Sequence, residues 1–263
     1  MEKIRLSRIM TNGKSIFLAY DAGLEHGPVD FNLTNIDPEY IIKLASKAKI
    51  NGIILEHGIA EKYFNPREHT VPLIIKLNGK TKLFQGEPNS ELLCSIDRAV
   101  RLGAEAVGFT IYPGSKHEPR LFRTFCEIVD SAHKIGLPVI AWIYPRGKGI
   151  DEKSTETIAY SARIALELGA DMAKIHYNND FEGFKWAVKS AGKTKIVMVG
   201  GNKTDDMTYL KTLHEVILAG AAGTATGRNV WQHETPEKML EAIKDIIYYG
   251  KKPEEAILRL KKN

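Results

Sequence analysis

Short apolar runs rich in β-branched residues alternate, from one end of the chain to the other, with longer segments whose apolar residues recur at helical spacing. That alternation belongs to parallel α/β folds, because parallel strands need a crossover long enough to hold a helix. Eight runs read as strands: 16–20, 52–55, 73–76, 106–110, 139–143, 172–175, 196–199 and 224–226. Helical patterns fill 38–49, 90–102, 118–135, 154–168, 181–190, 205–219 and 236–248. Only the connection after the second strand is short and poorly helical. Gly103, Gly136, Gly169 and Gly220 each end a helical segment just ahead of a strand, as a left-handed cap requires. Eight such βα units in a 263-residue chain give a single-domain (β/α)₈ barrel, the TIM-barrel count, over residues 1–263. The rival is an open doubly wound sheet, but no GxGxxG follows the first strand. A last amphipathic helix near 253–260 reads as a cap or an oligomer contact.

Composition removes other classes. The longest apolar runs, such as 139–143 and 196–199, fall far short of the roughly 20 residues of a membrane span, so no membrane partner is expected. The opening segment carries Glu2, Lys3, Arg5 and Arg8 without an apolar core, so a signal peptide is not expected and the cytoplasm is. Cys94 and Cys126 lie in segments of helical period with no CxxC or Cys/His spacing, and they read as reduced packing residues. The net charge of +5 raises nucleic acid as a partner, yet the basic residues are scattered among acidic ones apart from Lys251-Lys252 and the tail Lys261-Lys262-Asn263. An anionic small substrate explains the charge equally well.

Barrel enzymes carry their chemistry just past the C-terminal ends of the strands. Here the first strand runs into Asp21-Ala22-Gly23-Leu24-Glu25-His26-Gly27-Pro28, the third ends at Lys76, the fifth at Trp142-Ile143-Tyr144, and the sixth carries Lys174. Strand alternation sets Lys174 on the face of Met172. If that face is the barrel interior, burial and nearby positive charge lower the lysine pKa and free an amine that attacks a carbonyl. Lys76 is the rival nucleophile, and a structural ion pair of Lys174 with Asp171 or Asp21 is the plainer alternative. Trp142 and Tyr144 share a face; a phenol there can exchange a proton with a sugar hydroxyl, although isolated aromatics more often line a pocket. Asp21 is either a catalytic group that hydrogen-bonds substrate hydroxyls or helps move protons, or the partner of a buried lysine, and His26 either meets an anion or is simply solvated. After the seventh and eighth strands come Gly200-Gly201-Asn202-Lys203 and Gly227-Arg228, the two loops where barrels often hold phosphate; tight turns are the alternative. No HxH, HExxH or paired-carboxylate spacing suggests a metal, and no cofactor is expected.

Read together, DAGLEHGP (21–28), KLNG (76–79), WIYP (142–145), GADMAK (169–174), GGNK (200–203) and TGRNVW (226–231) resemble the archaeal-type class I fructose-bisphosphate aldolases of the DeoC/FbaB-like aldolase family. The resemblance covers almost the whole chain. It implies metal-independent, reversible cleavage of fructose 1,6-bisphosphate to dihydroxyacetone phosphate and glyceraldehyde 3-phosphate, in glycolysis and gluconeogenesis. It also implies Lys174 as the Schiff-base lysine and Tyr144 as proton donor and acceptor. Trp142 and Asp21 would shape the pocket and hold substrate, with Lys76 among the substrate-binding residues. His26 would lie near the distal phosphate, and Gly200, Gly201, Lys203, Gly227 and Arg228 would hold the phosphate nearest the carbonyl carbon. A homo-oligomer, often a decamer, is the family's usual assembly. The chain departs from the pattern at Ala22, where glutamine or histidine is common, and at Val199, where a serine often precedes the double glycine. Alternatives are a Schiff-base aldolase or transaldolase-like synthase for another phosphorylated sugar, and a sugar-phosphate-binding homologue without catalysis.

Overall fold

The computed structural model describes residues 5–261; Glu2, Lys3, Lys262 and Asn263 of the terminal segments lie outside them. Eight parallel strands close into a barrel: β1 Ser15–Ala19, β2 Gly52–Glu56, β3 Leu73–Lys76, β4 Ala104–Ile111, β5 Val139–Ile143, β6 Met172–Ile175, β7 Lys195–Val199 and β8 Gly223–Thr226. Each strand pairs with its sequence neighbours and β8 returns to β1, so the sheet has no edge. Around it run α1 Ala22–His26, α2 Pro38–Ala48, α3 His57–Tyr63, α4 Ile96–Arg101, α5 Glu118–Lys134, α6 Thr155–Glu167, α7 Phe181–Ser190, α8 Asp206–Leu218, α9 Arg228–Trp231, α10 Pro236–Ile247, α11 Pro253–Ala256 and α12 Leu258–Lys261.

Side-chain alternation divides the apolar residues into two layers. Phe17, Ile54, Ile74, Ala106, Ile140, Met172 and Val197 point into the barrel, where Leu6 and Ile9 of the N-terminal segment pack against them. Their neighbours Leu18, Ile53, Leu55, Ile75, Val107, Ala141 and Ala173 face outward against the helices. Among the described residues, five helices start on an acceptor side chain, with Asp37, Ser95, Ser154, Asp180 and Asp205 taking the N–H of Glu39, Arg98, Thr157, Gly183 and Thr208.

Four expectations change. The stretch 90–102 is helical only over Ile96–Arg101; Glu91–Leu92 instead pairs antiparallel with Asn78–Gly79. Asn78 is the reason: its side chain donates to the carbonyls of Ser90 and Thr110 and accepts from Thr110 N–H, while Leu93 and Cys94 both donate to the Leu77 carbonyl. The segment after β1 is a short helix, not a loop, and the C-terminal helix is two short pieces. Cys94 is buried, but Cys126 is exposed on α5 and is no packing residue. Among the described residues, no helix is long and apolar enough to cross a membrane.

At the N-terminal end of the barrel, Asp171 is buried and fully engaged. One carboxylate oxygen accepts from Arg5 at 2.8 Å, the other from Val139 N–H at 2.9 Å and lies 2.8 Å from His133 Nε2. Removing one member of a buried pair strands the other charge, at about 3–5 kcal/mol. Asp171→Ala is therefore expected to lower the urea unfolding midpoint sharply, and a midpoint equal to wild type would contradict this anchoring.

Candidate active site

A cavity of about 570 Å³ opens at the C-terminal ends of the strands. Asp21, His26, Lys76, Trp142, Tyr144, Lys174, Gly200, Gly201, Gly227 and Arg228 all line it, together with Ala22 and Val199. Lys203 does not: its ammonium donates to the Gln232 carbonyl at 2.6 Å and bridges the loops after β7 and β8 from outside. Sequence order cannot see that a four-carbon side chain reaches sideways to a helix end rather than inward.

Lys174 is 6% exposed, and its ammonium nitrogen lies 5.2 Å from the centre of the Trp142 ring, its register partner on β5. Asp171 does not face it, being held at the opposite end of the barrel. The carboxylate that does is Asp21, at the N-cap of α1. Lys76 is equally buried, with its nitrogen 3.6 Å from Asp21 and 3.8 Å from Glu56. The two lysines consequently diverge. For Lys76, burial favours the neutral form, but Asp21, Glu56 and Glu25 outweigh it and hold the pKa above its ordinary value. For Lys174, burial is the largest influence and Asp21 offsets it only partly, while the Lys76 ammonium adds to the depression. Asp21 itself is pushed up by burial but pulled further down by Lys174 and Lys76, so it stays ionised. Lys76 therefore holds its proton more tightly than an ordinary lysine, and Lys174 less tightly.

Tyr144 sits one alternation beyond Trp142, 5.2 Å ring to ring from His176. Burial, then the charges of Asp21 and Glu25, raise its phenol well above the ordinary value, so it rests protonated. Trp142 packs against Gly108 of β4, where a β-carbon would come 1.5 Å from the ring. At the other rim, Asn229 on α9 donates to the carbonyls of Gly200 and Asn202 and accepts from Thr204 N–H, locking the two glycine loops together. Gly200 N–H is used by the Ala225 carbonyl, which removes one of the backbone donors expected for an anion. Gly201 turns at φ 64°, while Gly227 has negative φ, so the tight-turn explanation covers only one of this pair.

The structure adds residues that the motifs did not single out. Arg146, Lys153 and His176 line the cavity from β5 and β6, across the ring from β1. Arg146 extends the 142, 144 alternation by one step, so strand period alone pointed to it; its guanidinium is 5.6 Å from the rings of Tyr112 and Tyr144. Asp30 gathers His26 at 3.0 Å and Arg228 at 3.6 Å on one carboxylate oxygen, so His26 belongs beside Arg228 rather than apart from it. No motif announces that meeting, which needs the turn Pro28–Asp30 after α1 to lie against the end of α9, where Gln232 donates to the Asp30 carbonyl.

Buried amine, neighbouring ammonium and protonated phenol can together form an imine with a carbonyl compound and shuttle its protons. The model of the DeoC/LacD family aldolases matches residues 15–233. The chain belongs to that family. It is 51% identical over 249 residues to a class 1 fructose-bisphosphate aldolase of Thermoproteus tenax, covering 93% of this chain and 94% of that protein. A solved archaeal fructose-1,6-bisphosphate aldolase, its catalytic lysine covalently bound to the carbinolamine intermediate, superposes with a TM-score of 0.90 at 49% identity, over 94% of this chain and 100% of that one. A 2-amino-3,7-dideoxy-D-threo-hept-6-ulosonate synthase of Halobacterium salinarum is 32% identical, covering 97% of this chain and 94% of that protein.

Because Gly108 leaves room for the indole, Gly108→Ala is expected to displace Trp142 from beside Lys174. Overpacking of this kind costs about 1–3 kcal/mol, and a misplacement of about 1 Å near reacting groups costs on the order of 10²-fold in rate. Steady-state aldol cleavage and thermal unfolding of the variant measure both, and unchanged turnover would show that Trp142 need not lie there.

Proposed function

We propose that this family member is a class I fructose-bisphosphate aldolase, reversibly cleaving fructose 1,6-bisphosphate to dihydroxyacetone phosphate and glyceraldehyde 3-phosphate through an imine on Lys174. The observation that carries the reading is the unequal pair of buried lysines, of which only Lys174 has its pKa lowered. The T. tenax relative bears the same activity in its name, and the superposed archaeal enzyme holds its intermediate on a lysine.

In this reading the Lys174 amine adds to the C2 carbonyl, and proton transfer from nitrogen to oxygen gives a carbinolamine. Tyr144 protonates its hydroxyl, water leaves, and an iminium faces a phenolate. The phenolate takes the C4 hydroxyl proton as the C3–C4 bond breaks; the electron pair flows into the iminium, giving an enamine and free glyceraldehyde 3-phosphate. Tyr144, again a phenol, protonates C3. Water then attacks the regenerated iminium, the phenolate takes its proton, and dihydroxyacetone phosphate departs from Lys174. Asp21, held ionised, balances the positive charge on nitrogen, and Trp142 presents its ring face to it. Lys76 supplies a fixed ammonium beside the substrate hydroxyls. One phosphate meets Gly201, Gly227 and Arg228, with His26 beside Arg228 and Gly200 fixing the turn; Arg146 and Lys153 offer charge to the other. The working form is a cytoplasmic homo-oligomer of glycolysis and gluconeogenesis.

A second reading, an aldolase or synthase for another phosphorylated sugar, is favoured by one observation: both departures from the family pattern, Ala22 and Val199, line the cavity. Fructose 1,6-bisphosphate, fructose 1-phosphate and deoxyribose 5-phosphate assayed side by side separate the two, the bisphosphate being expected to give the highest kcat/KM.

Borohydride reduction in the presence of dihydroxyacetone phosphate, followed by peptide mapping, is expected to leave the adduct on Lys174; an adduct on Lys76, or none, would overturn the mechanism. Tyr144→Phe is expected to slow cleavage by about 10²-fold or more while the trapped adduct still forms. Turnover as fast as wild type would remove Tyr144 from the proton path.

A further inference from the structure

Glu56 ends β2 directly beside Lys76, its register partner on β3, and is 8% exposed. Both its carboxylate oxygens are buried without a hydrogen-bond partner, and Oε1 lies 3.8 Å from the Lys76 nitrogen. Gly79 lies against it: a β-carbon there would come 3.5 Å from Oε1. It is not part of the cavity wall, so it reaches the chemistry only through Lys76. A buried carboxyl with nothing to bond is costly, and such groups persist where they have a task.

We propose that Glu56 is a positioning residue that keeps the proton on Lys76, so that Lys174 is the amine left free to attack. The inference rests on the assignment of the imine to Lys174. Without Glu56, two buried lysines would share the single carboxylate of Asp21, and each would be drawn toward the neutral form by burial. With it, Lys76 gains a second carboxylate as Glu56 ionises, and depends less on the one it shares with Lys174. Burial pushes the Glu56 carboxyl up to about 8, with Asp21 and Glu25 adding to the rise and Lys76 opposing it. As pH climbs through that value, Glu56 gives up a proton, and the carboxylate formed then holds the Lys76 ammonium more tightly. The other groups around it are accounted for. Lys76 comes from β3, Asp21 and Glu25 from β1 and α1, and Cys94 from the segment before α4. His57 follows in sequence with its own pKa lowered by burial; Lys174 and Tyr112 act on the cluster through Asp21 and Lys76. Among these, only Lys76 makes a close polar approach to the Glu56 oxygens.

The test is borohydride trapping with dihydroxyacetone phosphate across a pH series in wild type, Glu56→Gln and Glu56→Asp, with peptide mapping and a pH profile of cleavage. Wild type is expected to carry adduct on Lys174 alone throughout. In E56Q, which matches the shape but cannot ionise, Lys76 should lose its proton earlier. Adduct should then appear on Lys76 above about pH 9, and the alkaline fall in kcat should begin about one pH unit lower. E56D, which keeps an acid, should restore labelling of Lys174 alone. An E56Q protein with the wild-type adduct pattern and pH profile refutes the inference while leaving the imine assignment standing. Wild type without adduct on Lys174 refutes both. Should E56Q fail to fold, the wild-type protein decides: NMR of lysine labelled with ¹³C at Cε is expected to show one buried lysine titrating above its ordinary value and one below, and two buried lysines titrating alike overturn the proposal.

Discussion

Two lysine nitrogens and one carboxylate, enclosed at the mouth of a closed barrel, set the chemical character of this protein. In water, Lys76 and Lys174 would be indistinguishable ammonium ions. Burial penalises both charges, and Asp21 lies between them. The tie is broken by distance: Asp21 and Glu56 stand 3.6 and 3.8 Å from the Lys76 nitrogen, whereas Lys174 has the neutral ring of Trp142 beside it. The same site thus contains a fixed positive charge and a latent nucleophile, a combination that no single surface lysine provides.

That arrangement depends on rigid support from both ends of the barrel. At the N-terminal end, Arg5 and His133 converge on Asp171, three residues before Lys174, and so pin the strand that carries it. At the C-terminal end the strand register sets Trp142 opposite Lys174 and Glu56 opposite Lys76. Stability and chemistry are therefore divided along the same β6 strand, Asp171 serving one end and Lys174 the other. Register is fixed because a slip of one residue would turn every inward side chain out to the helices.

The anion-binding rim follows a different principle. Its glycine loops are short and have little apolar surface of their own to pack, so their shape is imposed from outside. Asn229 supplies that constraint through three hydrogen bonds, and the Lys203 ammonium adds a fourth tie to Gln232. Asp30 does the corresponding work for His26 and Arg228, holding the imidazole and the guanidinium near one another on one carboxylate oxygen.

The eight strands and the main helices were legible because hydrophobic period and glycine stops are local properties, and local pattern suffices where an element's face is uniformly buried. Strand-end position also marked Asp21, Lys76, Trp142, Tyr144 and Lys174, since a barrel gathers strand ends at one mouth whatever their separation in sequence. The limits fell where a side chain's partner lies far along the chain. The helical pattern from residue 90 gave way to the Asn78 amide, which bonds Thr110 from 32 residues away. Lys203 looked like an anion ligand until Gln232 proved to be in reach, and Gly200 N–H went to the strand next door. Above all, strand-end position by itself left Lys174 and Lys76 as rivals with the same residue type at the same kind of position. The family resemblance favoured Lys174, but only the folded structure gives the physical reason, because a lysine's proton affinity depends on which charges stand within a few ångströms, and that is a property of neighbours in space.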